Sequence, residues 1–208
     1  MEKNILSIDL DIIMHPSIDL YNDDIYVNED PDELWSNLEE EFAFEAFDTL
    51  KYDKEVLLDI IRLLKKNKDK PIIFIKDHDE IVNLLKNDTD YPQCMYNIYN
   101  IDFHHDLWYG EDDVLDAKSE DNYTCADWLG YLYLHKKTSS ITWIKAKNSS
   151  NINIKPYGNK DCKIEYLSIK DFSQLEDINF DQIYFCLSPQ WIPPKYRIIY
   201  DVIKLLLE

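Results

Sequence analysis

Short apolar runs that alternate with stretches of helical periodicity constrain the fold of this chain more than any other feature. Between most of these runs, apolar residues recur at the three- and four-residue spacing of a helix, as do Leu34, Leu38 and Phe42. The alternation predicts an α/β fold with three layers, α/β/α, around a mostly parallel central sheet. The predicted strands cover residues 4–10, 71–75, 96–102, 141–144, 163–167 and 182–187.

Several residues mark where the predicted helices begin. Asp53 precedes the helical pattern of residues 56–64 and is a plausible N-cap, because its carboxylate can accept hydrogen bonds from the first turn. A further helix is predicted to begin near His78, and another to span residues 124–135 with Thr124 as its cap. Pro193-Pro194 is predicted to open the last helix, since proline is well tolerated in a first helical turn.

The charge of the chain limits its partners. The 208 residues include 41 acidic and 22 basic side chains, which gives a formal net charge of −19. Such a charge repels nucleic acid and anionic membranes and attracts metal ions and basic peptides. Acidity that only keeps the protein soluble is an equally good explanation when it is taken alone.

The remaining bulk properties predict one globular domain over residues 1–208. No apolar run approaches the roughly 18 residues that span a membrane. The first residues lack the basic and apolar regions of a secretory signal, so we expect a cytoplasmic protein. The four cysteines form no Cys-x-x-Cys pair, and we expect them to be reduced and buried.

Polar clusters follow four of the predicted strands. Ligands of α/β sheets bind beyond the carboxyl ends of the strands, so these clusters are expected to meet at one edge of the sheet. The clusters are Asp9-Leu10-Asp11, Lys76-Asp77-His78-Asp79-Glu80, Asp102-Phe103-His104-His105-Asp106 and Ser188-Pro189-Gln190-Trp191.

The third cluster has the spacing of a ligand set. In an extended chain alternate side chains share a face, so Asp102, His104 and Asp106 are expected to point into one pocket. Asp9 and Asp11 have the same alternate spacing. Carboxylates and imidazoles together suit Mn²⁺ and related divalent ions. Without cations, so many carboxylates in one place would repel one another.

Each of the other motifs also has a simpler explanation when it is considered alone. An Asp-x-Asp such as Asp9 and Asp11 is common on surfaces, and a histidine at a helix start, such as His78, often caps the helix or is simply exposed. A metal site is favoured because the Asp9 and Asp11 pair, His78 and the cluster Asp102 to Asp106 all follow strands of one chain.

The motifs resemble those of the arginase-like ureohydrolases. Residues Ser7 to Asp11 resemble the serine-x-aspartate-x-aspartate motif of that family, and residues Asp102 to Asp106 its Asp-x-His-x-Asp motif. His78 is similar to its first histidine ligand. The narrower resemblance is to the peptide arginases, which convert arginine to ornithine in ribosomally made peptides. It is carried by these motifs together with Cys125-Ala126-Asp127-Trp128-Leu129 and Leu187-Ser188-Pro189-Gln190-Trp191-Ile192-Pro193-Pro194.

The order of the motifs departs from that family. Arginases have the aspartate pair after Asp-x-His-x-Asp, whereas here Asp9 and Asp11 come first. A strand of a parallel sheet can be supplied from either end of the chain, so a permuted chain can build the same site. The loop with which arginases recognise the carboxylate and amine of free arginine has no clear match here, which favours a larger substrate.

The resemblance implies an arginase-like fold, two divalent cations, most simply Mn²⁺, and an arginine-containing basic peptide as substrate. It implies that Asp102 and Asp9 bridge the ions, that His78 and Asp106 complete one shell, and that His104 and Asp11 complete the other. Asp11 or His105 would protonate the leaving amine. The candidates to hold the guanidinium, from their positions at strand ends, are Glu80, Asp127, Ser188 and Gln190.

Two other functions remain open from the sequence. One is a different binuclear metal hydrolase, such as a deacetylase or an amidinohydrolase that acts on another amine. The other is a binding protein without enzymatic activity that has the same fold.

Overall fold

The described part of this computed structural model comprises residues 1–15, 30–49, 51–107, 122–147, 149 and 161–207. Its strands are β1 (Glu2–Asp9), β2 (Met14–His15), β3 (Lys51–Tyr52), β4 (Ile72–Ile75), β5 (Met95–Ile101), β6 (Thr138–Lys145), β7 (Lys163–Ser168) and β8 (Gln182–Cys186). Its α-helices are α1 (Pro31–Thr49), α2 (Lys54–Lys66), α3 (Asp79–Lys86), α4 (Trp128–Leu134) and α5 (Pro194–Leu207).

Six strands form one parallel sheet in the order β4-β8-β1-β5-β6-β7. The predicted α/β architecture with a parallel sheet is therefore confirmed. The first strand of the chain, β1, lies in the middle, where it pairs with β8 on one side and β5 on the other. Strand β1 thus places the aspartate pair beside the end of β5.

Apolar side chains cover both faces of the sheet. On one face Ile5 and Ile98 belong to a core that includes α3 and α4. On the other face Leu6 and Phe185 belong to a second core that includes α2 and α5. Helices on both faces make the three-layer arrangement expected for a parallel sheet. Among the described residues, no helix combines the length and the apolar character needed to cross a membrane.

Two of the predicted helix starts have different outcomes. The carboxylate of Asp53 caps α2 as predicted, because it accepts hydrogen bonds from two backbone N–H groups of the first turn. The helix predicted to begin at Thr124 begins instead at Trp128. The Asp127 carboxylate accepts hydrogen bonds from the backbone N–H and the hydroxyl of Thr124, which holds this stretch in a turn.

Candidate metal centre

Two rows of polar side chains lie at the carboxyl ends of β1 and β5, on the face covered by α3 and α4. Strand alternation places Ser7 and Asn100 in one row, and they are register partners. Asp9 and Asp102 follow two residues later and form the next row. All four side chains are buried. Because β1 and β5 are neighbours, the two carboxylates come together at the edge of the sheet.

His78, Asp102 and Asp106 form the group that we call the inner triad. The Nδ1 atom of His78 lies 2.9 Å from Asp106 Oδ2 and 3.5 Å from Asp102 Oδ2. The same nitrogen lies 3.5 Å from Asp9 Oδ2. His78 stands at the N-cap of α3 but makes no side-chain capping bond there, so capping does not explain its position. A nitrogen that faces three carboxylates is a plausible ligand for a cation.

Asp11, Asp102 and His104 form a second group, the outer triad. His104 Nδ1 lies 2.9 Å from Asp11 Oδ2 and 4.0 Å from Asp102 Oδ1. Asp102 therefore directs Oδ2 towards the inner triad and Oδ1 towards the outer one. Both triads could hold a metal ion, the inner one fully buried and the outer one with His104 partly exposed, and Asp102 is placed to contribute to both.

The backbone reaches this arrangement differently from the predicted extended alternation, which is wrong for both motifs. Asp11 lies in a 3₁₀ helix (Leu10–Ile13) that is capped by Asp9, whose Oδ1 accepts a hydrogen bond from the Asp11 N–H at 3.0 Å. Asp106 has a left-handed backbone with φ of 52°. Its carbonyl accepts hydrogen bonds from Leu129 and Gly130 N–H, 3.0 and 2.9 Å away. Asp11 and Asp106, as candidate ligands, are therefore positioned by a cap and by a helix start and not by a strand.

Each member of the inner triad also contacts a buried polar side chain on its outer side. Such partners fix the orientation of metal ligands in proteins. The contacts are Ser7 Oγ with His78 Nε2 at 3.2 Å, Asn100 Nδ2 with Asp102 Oδ2 at 3.1 Å, and Trp128 Nε1 with Asp106 Oδ2 at 2.7 Å.

The outer triad contains a carboxylate oxygen that fits a ligand role. Asp11 Oδ1 accepts a hydrogen bond from the Phe103 N–H at 3.3 Å. Asp11 Oδ2 is buried and accepts no hydrogen bond from the described residues, although His104 Nδ1 is only 2.9 Å away. Buried acceptors are rarely left in this state. An imidazole nitrogen and a carboxylate oxygen that lie this close without a hydrogen bond between them are arranged as two ligands of one ion would be. These residues therefore fit a metal.

The electrostatics of the metal-free cluster are unfavourable to its carboxylates. Burial, with the neighbouring Asp11 carboxylate, raises the pKa of Asp9 to about 7. Burial and the charges of Asp106 and Asp11 likewise raise the pKa of Asp102. Burial also acts to raise the pKa of Asp106, but the hydrogen bond and charge of His78 outweigh it and lower that pKa. Divalent cations would stabilise the ionised carboxylates that burial disfavours.

Ser188, predicted to hold substrate, contacts Asp9 in the structure. Its hydroxyl donates to Asp9 Oδ2 at 2.5 Å. Its backbone has φ of 46°, which is uncommon for a residue other than glycine, and the turn aims the side chain back at the cluster. Ser188 therefore lies where it orients Asp9 as well as lining the cleft.

Glu80 and Asp127 direct their carboxylates at the backbone. Glu80 Oε1 accepts hydrogen bonds from Lys76 and Asp77 N–H at 2.8 and 3.0 Å. Asp127 binds Thr124, as described above. The structure thus gives each carboxylate a local partner within its own turn and places neither in the described lining of the cleft. Their predicted contact with a guanidinium gains no support from this geometry.

His105 and Gln190 are the other predicted residues outside the two triads. The His105 ring packs against Trp143, and its Nδ1 accepts a hydrogen bond from Leu107 N–H at 3.1 Å. Burial lowers the pKa of His105 to about 4, so the ring is neutral near pH 7. Gln190 is half-buried, and its Oε1 makes no hydrogen bond within the described residues.

A narrow cleft opens onto the cluster. Its volume is about 20 Å³, which is room for about one water molecule. Cys125, Ala126 and Trp191 form its non-ligand wall together with Ser188. The described lining comprises Asp9, His78, His104, Asp106, Cys125, Ala126, Ser188 and Trp191.

A larger pocket of about 400 Å³ lies elsewhere, between α2 and the 3₁₀ helix Ile169–Leu175. Its walls include the ion pairs Asp59–Arg62 and Lys66–Glu176. It contains no residue of either triad, so its size does not make it the candidate active site.

Sequence reasoning missed Cys186 as a possible ligand. An oxygen of Asp9, a ring nitrogen of His78 and the Cys186 sulfur lie within 4.8 Å of one another. A cysteine at the end of an apolar run is ordinarily a packing residue, and only the pairing of β8 with β1 reveals its neighbours.

Comparison with protein-family models, curated proteins and solved structures found no match for this chain. Its function therefore has to be inferred from the chemistry of this site.

Proposed function

We propose that this protein is a metal-dependent hydrolase that cleaves the guanidinium C–N bond of arginine within a peptide, releasing urea and leaving ornithine. The observation that carries the proposal is the meeting of two Asp/His triads that share Asp102 at the ends of adjacent parallel strands. Such a shared carboxylate suits a pair of divalent cations, for which Mn²⁺ is the first candidate.

The residues divide between the two ions by proximity. His78 and Asp106, with Asp9 nearby, would hold one ion, and Asp11 and His104 would hold the other. Asp102 would serve both, because its two oxygens face opposite triads. A pair of divalent ions lowers the pKa of a shared water and so supplies a nucleophile near neutral pH.

Proton transfer is the second requirement of the reaction. Water adds to the guanidinium carbon, the bond from that carbon to the side-chain nitrogen breaks, and this nitrogen must gain a proton before it leaves as an amine. Asp11 is the better of the two predicted proton carriers because it belongs to the cluster. His105 faces Trp143 and the Leu107 N–H, and it belongs to neither triad.

The substrate part of the proposal depends on charge. A net charge of −19 attracts a basic chain to the cleft. Arginine within a peptide also needs no group to hold its α-carboxylate, for which neither the sequence nor the described cleft offers a candidate.

One observation favours a second candidate, a binuclear metal hydrolase that acts on a different substrate. Glu80 and Asp127 are turned to backbone N–H groups. Among the described residues, the only carboxylates that line the cleft are Asp9 and Asp106 of the metal cluster. A site without a spare carboxylate suits a neutral group, such as the amide of an acetylated amine, as well as it suits a guanidinium.

The deciding experiment compares three substrates with Mn²⁺ present: an arginine-rich peptide, free arginine and a matched peptide with acetylated lysines. We expect urea from the peptide at a higher rate than from free arginine, and no urea from an Asp9→Ala variant. Faster turnover of free arginine contradicts the peptide substrate. Acetate release without urea establishes the second candidate. No bound metal and no rise in melting temperature with Mn²⁺ would favour a binding protein.

A further inference from the structure

Cys186 lies beside the inner triad and has no part in the function proposed above. It is the last residue of β8, where it is paired with Asp9 of β1 and with Ile75 of β4. Paired residues of adjacent strands direct their side chains to the same face, so its sulfur lies in the row of Asp9 and Asp102. Its side chain is fully buried.

The sulfur is close to two groups that are already candidate ligands. Cys186 Sγ, an oxygen of Asp9 and a ring nitrogen of His78 all lie within 4.8 Å of one another. The sulfur is also 3.3 Å from Ser188 Oγ, the hydroxyl that donates to Asp9. A carboxylate, an imidazole and a thiol in one buried group are a donor set in themselves, unlike a single buried cysteine.

We propose that Cys186 is a thiolate ligand of the ion held by Asp9 and His78, and that this position therefore selects Zn²⁺, Co²⁺ or Fe²⁺ over Mn²⁺. Soft sulfur ligands favour these ions, whereas carboxylate-rich sites without sulfur also accept Mn²⁺. As the ion binds, the S–H proton passes to solvent and a metal–sulfur bond forms. The outer triad has only oxygen and nitrogen donors, so it remains open to Mn²⁺. The inference rests on the proposed metal centre and is independent of the substrate.

Titration of the metal-free full-length protein with Co²⁺ tests the proposal, because a thiolate bound to Co²⁺ gives a charge-transfer band in the near ultraviolet. We expect the band in the wild type, its loss in Cys186→Ser and its retention in Cys125→Ser. The Cys125 control is matched, since this cysteine lines the same cleft but is in none of the donor groups. Cys186→Ser should weaken Zn²⁺ binding at least about 10-fold and change Mn²⁺ binding much less.

X-ray absorption of the Zn²⁺-loaded wild type keeps the test valid if the buried Cys186→Ser variant fails to fold. A sulfur neighbour at about 2.3 Å supports the proposal. A shell of oxygen and nitrogen alone, a charge-transfer band that depends on Cys125, or a protein that binds no Co²⁺ overturns it. A Cys186-dependent band without urea release supports Cys186 as a metal ligand and contradicts the proposed arginine substrate. Urea release without the band supports the substrate and contradicts Cys186 as a ligand.

Discussion

The inner and outer triads share Asp102 but differ in how the protein supports them. His78 is 2% exposed, and the three members of its triad contact Ser7, Asn100 and Trp128. The His104 side chain is 10% exposed and packs against Trp191, with 4.6 Å between the centres of the two rings. Asp11 Oδ2 accepts no hydrogen bond from the described residues. The inner triad is therefore held in place by side chains of the strands and of α4, and the outer triad is built on two turns.

The difference indicates an order of metal binding. Ligands that are already fixed pay little reorganisation cost when an ion arrives, so we expect the inner position to be filled first. In the proposed two-ion site the outer position would gain its ion second, and this ion would organise Asp11 and His104. Variants that remove one ligand or one supporting contact should therefore affect the two positions unequally.

The largest effect is expected from Asp102→Asn, which removes the charge common to both triads. Both ions should be lost at concentrations that saturate the wild type, and urea release should fall to background. The measurement is metal content by mass spectrometry of the purified variant together with the urea assay. Asp201→Asn, an exposed change on α5, is the matched control and should keep both ions. A variant that keeps two ions would show that Asp102 does not bridge.

His104→Ala should separate the two positions. We expect it to keep one ion per chain, to lose measurable activity and to stay folded. The metal-free protein should keep its fold, because the His104 side chain is 10% exposed and belongs to neither apolar core. Calorimetric titration with the metal gives the stoichiometry, and circular dichroism reports folding. Retention of two ions, or loss of soluble protein with metal affinity unchanged, would assign His104 a structural function instead.

The parallel sheet made most of the site residues predictable. Apolar runs that end in polar clusters place those clusters at one edge of a parallel sheet, whatever their order in the chain. This is why the six ligand candidates were found together although Asp9 and Asp106 are far apart in sequence. The position of β1 in the middle of the sheet, between β8 and β5, was not predicted, because the rule names the edge where the clusters meet and leaves the order of the strands open.

The details that depend on tertiary contacts were not predictable. The left-handed backbone of Asp106 exists because its carbonyl binds the start of α4, a contact made by residues more than 20 positions later. Glu80 was a plausible substrate residue by position, but two nearby backbone N–H groups compete for its carboxylate. Cys186 became a candidate only through strand pairing.

Trp128→Phe is expected to reduce the difference in metal affinity between the inner and outer positions without removing a ligand. The substitution keeps an aromatic ring beside His78 but deletes the N–H that donates to Asp106 Oδ2 at 2.7 Å. Loss of such a partner typically lowers metal affinity about 10- to 100-fold, and here it should do so for the inner ion alone. Tyr200→Phe is the control, because it removes the hydrogen bond to the Ile75 carbonyl without touching either triad. Equal weakening of both ions would argue against separate support of the inner triad.

The smallest effect concerns the pH dependence of the metal-free protein. Burial and the neighbouring Asp11 carboxylate raise the pKa of Asp9 to about 7 in the folded state, from an ordinary value of 3.8. Burial alone would lower the pKa of His78, but the charge of the Asp9 carboxylate and the hydrogen bond to Asp106 raise it well above its ordinary value. Both groups therefore bind protons more tightly in the folded state than in the unfolded one.

A folded state that holds more protons loses stability as pH rises, so Asp9 and His78 should make the metal-free protein less stable between pH 5 and pH 8. His105 acts in the opposite direction below pH 6.5, because its pKa is lowered to about 4, and the net loss should be roughly 1–3 kcal/mol. Asp106, whose pKa is lowered, affects stability only at more acidic pH. Saturating Mn²⁺ should reverse the slope, because the ions bind the deprotonated ligands and compete with protons. Urea denaturation at each pH, with and without metal, measures both slopes. The Asp9→Asn variant should flatten the metal-free slope, whereas metal-free stability that rises across this window would show that the cluster is ionised and stabilised by other means.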